Sequence, residues 1–238
     1  MTGVPGFSGR VGRSIESVRL LRRSRAFREL ASVEPRADLV ALGSEYGRWV
    51  VPSTKLGPDS ACYLAGVGGD ISFDLALIAR FGCTIHAFDP VASAQEFVGV
   101  AARYEPRLVF HPVGLWSSDT TLEFHQPISA GFVSHSATNL HDTPVAFEAQ
   151  VRSIPSLMRE LGQDRLDLLK LSVEGAEYEL LESLAADDVD VAVVGVEFTQ
   201  PSPPGAAEAA LRLMTSRGYK IIHAVVQPRI WRVTFAID

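Results

Sequence analysis

The stretch Ala61–Pro90, ACYLAGVGGDISFDLALIARFGCTIHAFDP, decides the fold expected for this chain. It begins with a short apolar run typical of a buried strand and continues through a glycine-rich turn, Gly66–Gly69, into apolar residues at helical spacing. A second β-rich run, Thr84–Phe88, ends at Asp89. The order strand, glycine turn, helix, strand and acid predicts a nucleoside-binding βαβ unit.

The residues around the glycine turn indicate which nucleoside is favoured. Asp89 follows Gly66 by 23 residues, a spacing that suits a carboxylate accepting both hydroxyls of a ribose. Ile71 stands where a dinucleotide fingerprint has its third glycine, and Asp70 would repel a pyrophosphate. S-adenosylmethionine (SAM) has no phosphate and carries a cationic amino group, so it is the favoured ligand. A nicotinamide-dependent dehydrogenase is the more distant alternative.

Three blocks carry a family resemblance: GVGGDISFDLALIARFG followed by HAFDP, LLKLSVEGAEYELLESL at Leu168–Leu184, and FHPVGLW at Phe110–Trp116. The blocks follow one another along the chain in the family's order, and they resemble the FkbM-type family of SAM-dependent O-methyltransferases, from about Leu42 to the C-terminus. The resemblance implies a class I methyltransferase fold of the α/β class. Its seven-stranded, mostly parallel sheet would carry helices on both faces and, in this chain, follow an N-terminal helical extension.

Length and charge divide the chain into two expected parts. A chain of 238 residues fits one large α/β domain, here residues 41–238, preceded by a basic extension of residues 1–40. The net charge is −6, but the first 40 residues sum to +4, so the remaining residues sum to −10. An acidic main body argues against nucleic-acid binding.

Composition also predicts the compartment. No stretch approaches the roughly 18 uninterrupted apolar residues that suggest a membrane span, and the start MTGVPGFSGRVGRS lacks the apolar core of a secretory signal. Cys62 and Cys83 each stand at the start of a predicted buried strand, which indicates reduced core thiols rather than a disulfide. We therefore expect a cytoplasmic protein with no membrane span.

The extension contains one predicted helix, Ser14–Ser32, which is basic and amphipathic. Its apolar side is available for packing on the catalytic domain or on a second subunit, which would give a homo-oligomer. An anionic membrane surface or an acidic partner is the alternative. The apolar residues of that side are Ile15, Val18, Leu21, Phe27 and Leu30.

The resemblance also implies the cofactor contacts. The methionine end of SAM would lie at Gly66, Gly68 and Asp70, and the ribose at Asp89. The adenine would lie near Leu115 and Trp116, although Trp116 is equally suited to shielding the sheet. The full expected cofactor-binding set is Gly66, Val67, Gly68, Asp70, Asp89, Pro90, Leu115 and Trp116.

Carboxylates at strand ends are the candidates for chemistry. An alcohol is nearly inert towards methyl transfer at neutral pH, so a base or a metal must help to remove its proton. Glu174 and Glu197 end neighbouring strands and are the expected base or substrate clamp, whereas Glu177 favours its own helix N-terminus. The patternless segment Ser129–Thr143 is the predicted substrate loop, and its His135 is either a contact to the acceptor or a solvated histidine.

Two departures from the family pattern affect the predicted chemistry. Ser172 stands where the family usually has Asp, and Thr199 and Gln200 stand where many relatives have histidine after Glu197-Phe198. Serine is neither a base nor a good ligand for a hard cation, so no bound metal is expected. The predicted function is SAM-dependent O-methylation of a small-molecule hydroxyl, on a sugar or a secondary metabolite. The alternative is a catalytically divergent protein that uses the fold to bind a ligand or a partner.

Overall fold

The computed structural model describes residues 36–129, 134–199, 203–227 and 230–238, and before them Arg25, Phe27, Glu29, Ala31 and Val33. The strands of this described part are β1 (Leu39–Leu42), β2 (Trp49–Pro52), β3 (Ala61–Ala65), β4 (Thr84–Phe88), β5 (Leu108–His111), β6 (Gly114–Leu115), β7 (Thr120–His125), β8 (Val145–Arg152), β9 (Leu166–Leu171), β10 (Val191–Thr199), β11 (Lys220–Val226) and β12 (Ile230–Ala236). Its α-helices are α1 (Ser72–Phe81), α2 (Ala92–Ala102), α3 (Ile154–Leu161), α4 (Glu177–Ala186) and α5 (Ala206–Ser216).

Seven strands form the central sheet in the order β11-β12-β10-β9-β3-β4-β5. The neighbours from β10 to β5 run parallel, and β12 pairs antiparallel with both β10 and β11. Parallel strands need crossover connections, and the helical segments of the sequence supply them. The predicted seven-stranded, mostly parallel sheet is confirmed.

Helices cover both faces of this sheet, as predicted. Along β3, Cys62 and Leu64 face one apolar core with α1, α2 and the β1–β2 hairpin. Tyr63 and Ala65 face the other core, which α3, α4 and α5 cover. This split follows from the alternation of side chains along a strand. Cys83, like Cys62, is a buried free thiol, in agreement with the expectation.

A small second sheet lies beside the main one, in the order β6-β8-β7. β6 pairs parallel with β8, and β7 pairs antiparallel with β8. The alternating residues of β7 and β8 predicted both strands, but the sequence did not indicate that they leave the main sheet. The pairing places Gly114, Leu115 and Phe124 next to the end of the central sheet.

The predicted helix Ser14–Ser32 lies mainly outside the described residues. Within it, Phe27 is fully buried, and its ring lies 4.3 Å from the ring of Trp231 and 5.9 Å from the ring of Phe198, measured between centroids. Trp231 belongs to β12 and Phe198 to β10, so Phe27 packs on the antiparallel part of the sheet. Packing of this helix on a second subunit stays a prediction.

We expect Phe27→Ala to lower the free energy of unfolding by about 3 to 4 kcal/mol, because it empties a fully buried aromatic site. Urea unfolding of the full chain measures this. Val33→Ala is the control, since Val33 is 41% exposed and should change little. Equal effects of the two variants would mean that Phe27 does not anchor the extension.

Candidate active site

A cavity that is partly open to solvent lies at the C-terminal edge of the central sheet. The ends of β3, β4, β9 and β10 meet there, which is where open α/β sheets place their ligands. Most site residues predicted from the sequence line this cavity. They are Gly66, Val67, Gly68, Asp70, Asp89, Pro90, Leu115, His135, Glu174 and Glu197.

Trp116 is the predicted site residue that the structure does not place on the cavity. Its backbone N–H donates to the Arg152 carbonyl at 3.0 Å, and its partly buried side chain packs against the core under α3 to α5. Leu115, the residue before it, lines the cavity. The structure therefore favours shielding of the sheet over a contact with adenine for Trp116.

The glycine turn begins directly after β3 at Gly66, where there is no room for a side chain. Gly66 has φ of +78°, and a Cβ atom there would lie 1.8 Å from the carbonyl oxygen of Ser172 on the next strand. The close approach of these two backbones requires glycine. Gly68 also has a positive φ, of +56°. The turn therefore presents bare backbone to the cavity, as the sequence predicted.

Asp89 holds the glycine turn against the end of β4. Its Oδ2 accepts hydrogen bonds from the backbone N–H groups of Val67 and Gly68, at 2.9 and 3.1 Å, and its Oδ1 accepts from Val91 N–H at 2.9 Å. A carboxylate offers roughly four lone-pair positions, so these three bonds leave capacity for a ligand hydroxyl. The side chain is only 6% exposed and lines the cavity. Its contact with a ribose stays a prediction.

Asp70 is of a helix-capping residue type and stands just before α1, and the structure adds a contact to the β1–β2 loop that the sequence did not indicate. Its carboxylate accepts from the Ser44 hydroxyl at 2.5 Å and from Ser72 N–H at 2.7 Å, which ties the β1–β2 loop to the start of α1. A Cβ atom on Gly47 would lie within 2.7 Å of this carboxylate, so the loop packs tightly there. Burial opposes ionisation, but the hydrogen bonds outweigh it and lower the pKa of Asp70. A contact with the methionine end stays a prediction.

Glu197 forms an ion pair with Arg232 on the cavity wall. Arg232 Nε donates to Glu197 Oε2 at 2.5 Å, and Arg232 Nη1 donates to the carbonyls of Tyr46 and Arg48 at 3.0 and 3.2 Å. The guanidinium carbon lies 5.2 Å from the ring centroid of Trp49, within cation–π range. Sequence reasoning missed Arg232, whose only signal was a charge inside the apolar run of β12.

Lys170 and Asp74 are two further charged residues of the cavity that the sequence analysis missed. Lys170 Nζ donates to the Gly66 carbonyl at 2.7 Å and to the Ala65 carbonyl at 3.2 Å, so it holds the backbone where β3 ends and the glycine turn begins. Burial lowers the pKa of Lys170, and the charge of Asp74 opposes that shift. Each shares a mainly apolar element with one other charged residue: Lys170 with Asp167 in β9 (LDLLKL), and Asp74 with Arg80 in α1 (SFDLALIARF).

The buried carboxyl of Asp74 should make stability depend on pH. Burial raises the pKa of Asp74 from 3.8 to about 6, so the folded chain binds this proton more tightly than the unfolded chain. The resulting stabilisation is full below pH 4 and is lost as the pH rises through about 6. Asp74→Asn removes this dependence. Relative to the wild type, the free energy of unfolding of the variant should therefore rise by about 1.4 kcal/mol between pH 5 and pH 8.

Urea unfolding at both pH values measures the difference, with the exposed Asp59→Asn as the control. Parallel pH profiles for Asp74→Asn and wild type would contradict the assignment of a buried carboxyl with a raised pKa at this position.

Glu174 lies on the cavity in an uncommon backbone conformation. Its φ is +47°, a region that costs energy for a residue with a side chain and that often marks functional sites. The Ser136 hydroxyl donates to the Glu174 carbonyl at 2.7 Å and helps to hold this conformation. Burial raises the pKa of the Glu174 carboxyl, the charge of Glu197 adds to the shift, and a hydrogen bond from Ser134 opposes it.

The side chain of Glu177 has different surroundings from that of Glu174, although both residues lie at the junction between β9 and α4. The Glu177 side chain is fully buried and accepts from Gly175 N–H at 2.7 Å and from Thr199 N–H at 2.9 Å. It therefore braces the turn before α4 against the end of β10, and burial raises its pKa to about 7. The two carboxylates do not share the cavity, because the positive φ at Glu174 turns the chain between them.

The predicted substrate loop contributes to the cavity through Ser134, His135 and Ala137. The His135 ring contacts the edge of Phe147, with 5.1 Å between ring centroids. Residues 130–133 of this loop, and Gln200 after Thr199, lie outside the described residues. Contact of His135 with the acceptor stays a prediction.

Within the described ranges, no group of three or more His, Cys, Asp or Glu side chains has an arrangement that would hold a metal ion. In the same ranges no helix is both long and apolar enough to cross a membrane.

Comparison with known proteins shows which sequences this chain is similar to. Residues 61–221 match the family model described as "Methyltransferase FkbM domain". The protein named "Probable methyltransferase-like protein 24" of Rattus norvegicus is 27% identical over 127 residues, which cover 53% of this chain and 29% of that protein. The Homo sapiens protein of the same name is 24% identical over 127 residues, covering 53% and 28%. The chain spans less than a third of the length of the curated relatives it matches.

Two solved structures show a more distant similarity. Aeropyrum pernix fibrillarin, in complex with natively bound S-adenosyl-L-methionine, has a TM-score of 0.46 and 9% identity over 76% of this chain and 68% of that chain. A geranyl diphosphate methyltransferase in complex with SAM has a TM-score of 0.42 and 15% identity over 99% of this chain and 92% of that chain. The fold assignment rests on the sheet order and on the family match.

Proposed function

The chain belongs to the FkbM methyltransferase family, and we propose that it transfers a methyl group from SAM to a hydroxyl group of a small molecule, such as a sugar or a secondary metabolite. One observation carries this proposal. The Glu174 carboxyl, whose pKa burial raises, faces the same cavity as the glycine turn and Asp89. A candidate base and the proposed nucleoside site therefore share one cavity.

The residues of the cavity fit SAM. Glycine is required at Gly66 because a Cβ would strike Ser172, and the bare turn lets a ligand approach the backbone. In the proposal Asp89 binds the ribose hydroxyls, while Gly66, Gly68 and Asp70 surround the methionine end. Val67, Pro90 and Leu115 offer apolar contacts for the adenine. When bound, SAM supplies an electrophilic methyl group on a sulfonium sulfur.

Glu174 is the proposed general base. The acceptor hydroxyl becomes a competent nucleophile only as its proton leaves, and a carboxylate with a raised pKa takes that proton more readily than an ordinary one. Glu197 is less suited to this role because its carboxylate is engaged by Arg232. We assign Glu197 and Arg232 to orienting the acceptor, together with His135 on the substrate loop.

A second candidate function is supported by Ser172. This residue lines the cavity where the family pattern usually has Asp, so a carboxylate expected at this point of the site is missing. A protein that binds SAM or another ligand without methyl transfer would fit that loss. Ser172→Asp separates the two functions, since it would create turnover only if the native chain lacks a base.

The experiment is incubation of the full chain with methyl-labelled SAM and a panel of sugars and other hydroxyl compounds. We expect a labelled product with the added methyl on oxygen, and lower turnover in Glu174→Gln. Binding of SAM without any product, combined with turnover in Ser172→Asp, would support the second function. Methyl transfer to nitrogen or carbon would contradict the proposed acceptor class.

A further inference from the structure

Ser136 differs from the other described residues of the predicted substrate loop because its side chain is buried. Of residues 134–143, it alone is buried, with 4% of its surface exposed. Its backbone forms an isolated antiparallel bridge with His125 at the end of β7, through hydrogen bonds of 2.8 and 3.2 Å. Its neighbours His135 and Ala137 are among the described residues that line the cavity, whereas Ser136 is not. Ser136 therefore lies behind the cavity wall and not in it.

The Ser136 hydroxyl uses its whole hydrogen-bonding capacity. It donates to the backbone carbonyl of Glu174 at 2.7 Å. A hydroxyl has one hydrogen and two lone pairs, so in its two other contacts it accepts, from Thr138 N–H at 3.2 Å and from the Thr138 hydroxyl at 3.1 Å. These two contacts orient the hydroxyl, so that its hydrogen points at the Glu174 carbonyl.

The peptide unit between Glu174 and Gly175 is held at both of its polar groups. Ser136 binds its carbonyl oxygen, and the Glu177 carboxylate accepts from its N–H group at 2.7 Å. Both residues of this peptide have a positive φ, +47° at Glu174 and +100° at Gly175. An unfavourable backbone conformation persists only where its surroundings fix it firmly. The two hydrogen bonds supply that constraint from opposite ends of one peptide.

The loop also packs directly on this turn. A Cβ atom on Gly175 would lie 2.3 Å from the Thr138 hydroxyl oxygen, so the loop and the turn are in close contact. The Glu174 carboxyl accepts a hydrogen bond from the Ser134 side chain. One loop therefore contacts both the backbone and the carboxyl group of Glu174, and Ser136 is its buried anchor.

We propose that Ser136 is a positioning residue for methyl transfer, which anchors the substrate loop to the Glu174–Gly175 peptide and thereby directs the Glu174 carboxyl at the acceptor hydroxyl. This inference rests on the proposed function, because it requires Glu174 to be the base. In this assignment Ser136 contacts neither the acceptor nor SAM. It acts through Glu174, whose carboxyl must lie within hydrogen-bond reach of the proton that it removes.

The first test is Ser136→Ala in the full chain, with turnover of the acceptor found in the labelled-SAM experiment. We expect the turnover number to fall roughly 10- to 100-fold, because a misplaced base costs rate even when the fold is kept. The affinity for SAM, measured by titration calorimetry, should stay within error. Ser153→Ala is the matched control. It removes a serine hydroxyl that is 9% exposed and caps α3, so it should lower stability without changing the turnover number.

A double variant separates positioning from a general structural role. Glu174→Gln is measured with and without Ser136→Ala. If Ser136 acts through the Glu174 carboxyl, adding Ser136→Ala to Glu174→Gln should change the turnover number by less than about twofold, because the group that it positions is already lost. The two single substitutions would then be strongly non-additive.

Each other outcome overturns a defined part of the account. Additive effects of the two substitutions, or a Ser136→Ala variant that turns over like Ser153→Ala, would show that Ser136 does not position Glu174. Loss of SAM binding in Ser136→Ala would show that the residue supports the cavity as a whole instead. If Glu174→Gln turns over like wild type, or wild type transfers no methyl group, the proposed function itself fails. That failure is distinguishable because it does not involve a change at Ser136.

Discussion

Asp89→Ala is expected to weaken the binding of SAM by about 100-fold or more. Asp89 supports the N–H groups of Val67 and Gly68 and lines the cavity, so its loss removes the proposed ribose contact and loosens the glycine turn at once. Titration calorimetry with SAM measures the affinity. Far-ultraviolet circular dichroism checks that the sheet is retained, because Asp89 lies at the end of β4 and not within it.

Two further variants make the Asp89 experiment specific. Asp89→Asn keeps one side-chain oxygen as an acceptor and should bind SAM with an intermediate affinity. Asp59→Ala changes an exposed aspartate away from the cavity and should bind like wild type. Unchanged SAM affinity in Asp89→Ala would remove the assignment of this residue as the ribose ligand.

Glu174→Gln is expected to lower the turnover number by roughly 100- to 10,000-fold, because glutamine cannot accept the proton of the acceptor hydroxyl. The affinity for SAM should stay within error, since Glu174 is assigned to the acceptor. The exposed Glu182→Gln is the matched control on α4. Turnover is measured with the acceptor found in the labelled-SAM experiment.

The pH profile adds a readout that a structural role would not change. Burial raises the pKa of Glu174, and a base works only when deprotonated, so wild-type turnover should rise with pH through that raised pKa. The rise should vanish in Glu174→Gln. A variant with wild-type turnover and an unchanged pH profile would move the base to another residue.

Much of the fold was predictable because its signals are local. The glycine turn at Gly66 and the apolar runs of β3, β4 and β9 can each be recognised in the sequence, and the parallel order follows from the helices between them. The small sheet was not predictable. β6 consists only of Gly114 and Leu115, and its pairing with Val151 and Arg152 bridges a long segment of chain that no local pattern records.

The lining of the cavity was predictable where a residue type and a strand end coincide, as for Asp89, Glu174 and Glu197, whose functional roles stay predictions. Hydrogen bonds between side-chain carboxylates and backbone N–H groups were not predictable, because they depend on how loops that are distant in sequence meet in space. Glu177 therefore proved to be a buried brace. Lys170 and Asp74 show the limit most clearly, since a charge in a mainly apolar strand or helix does not reveal which element it will face.

The most direct test of the account is a crystal structure of the full chain soaked with SAM or S-adenosylhomocysteine. We expect electron density for the adenosine between the glycine turn and Asp89, with the ribose hydroxyls on the Asp89 carboxylate. Ligand density at another place on the molecule, or a cavity that stays empty at saturating ligand, would contradict it.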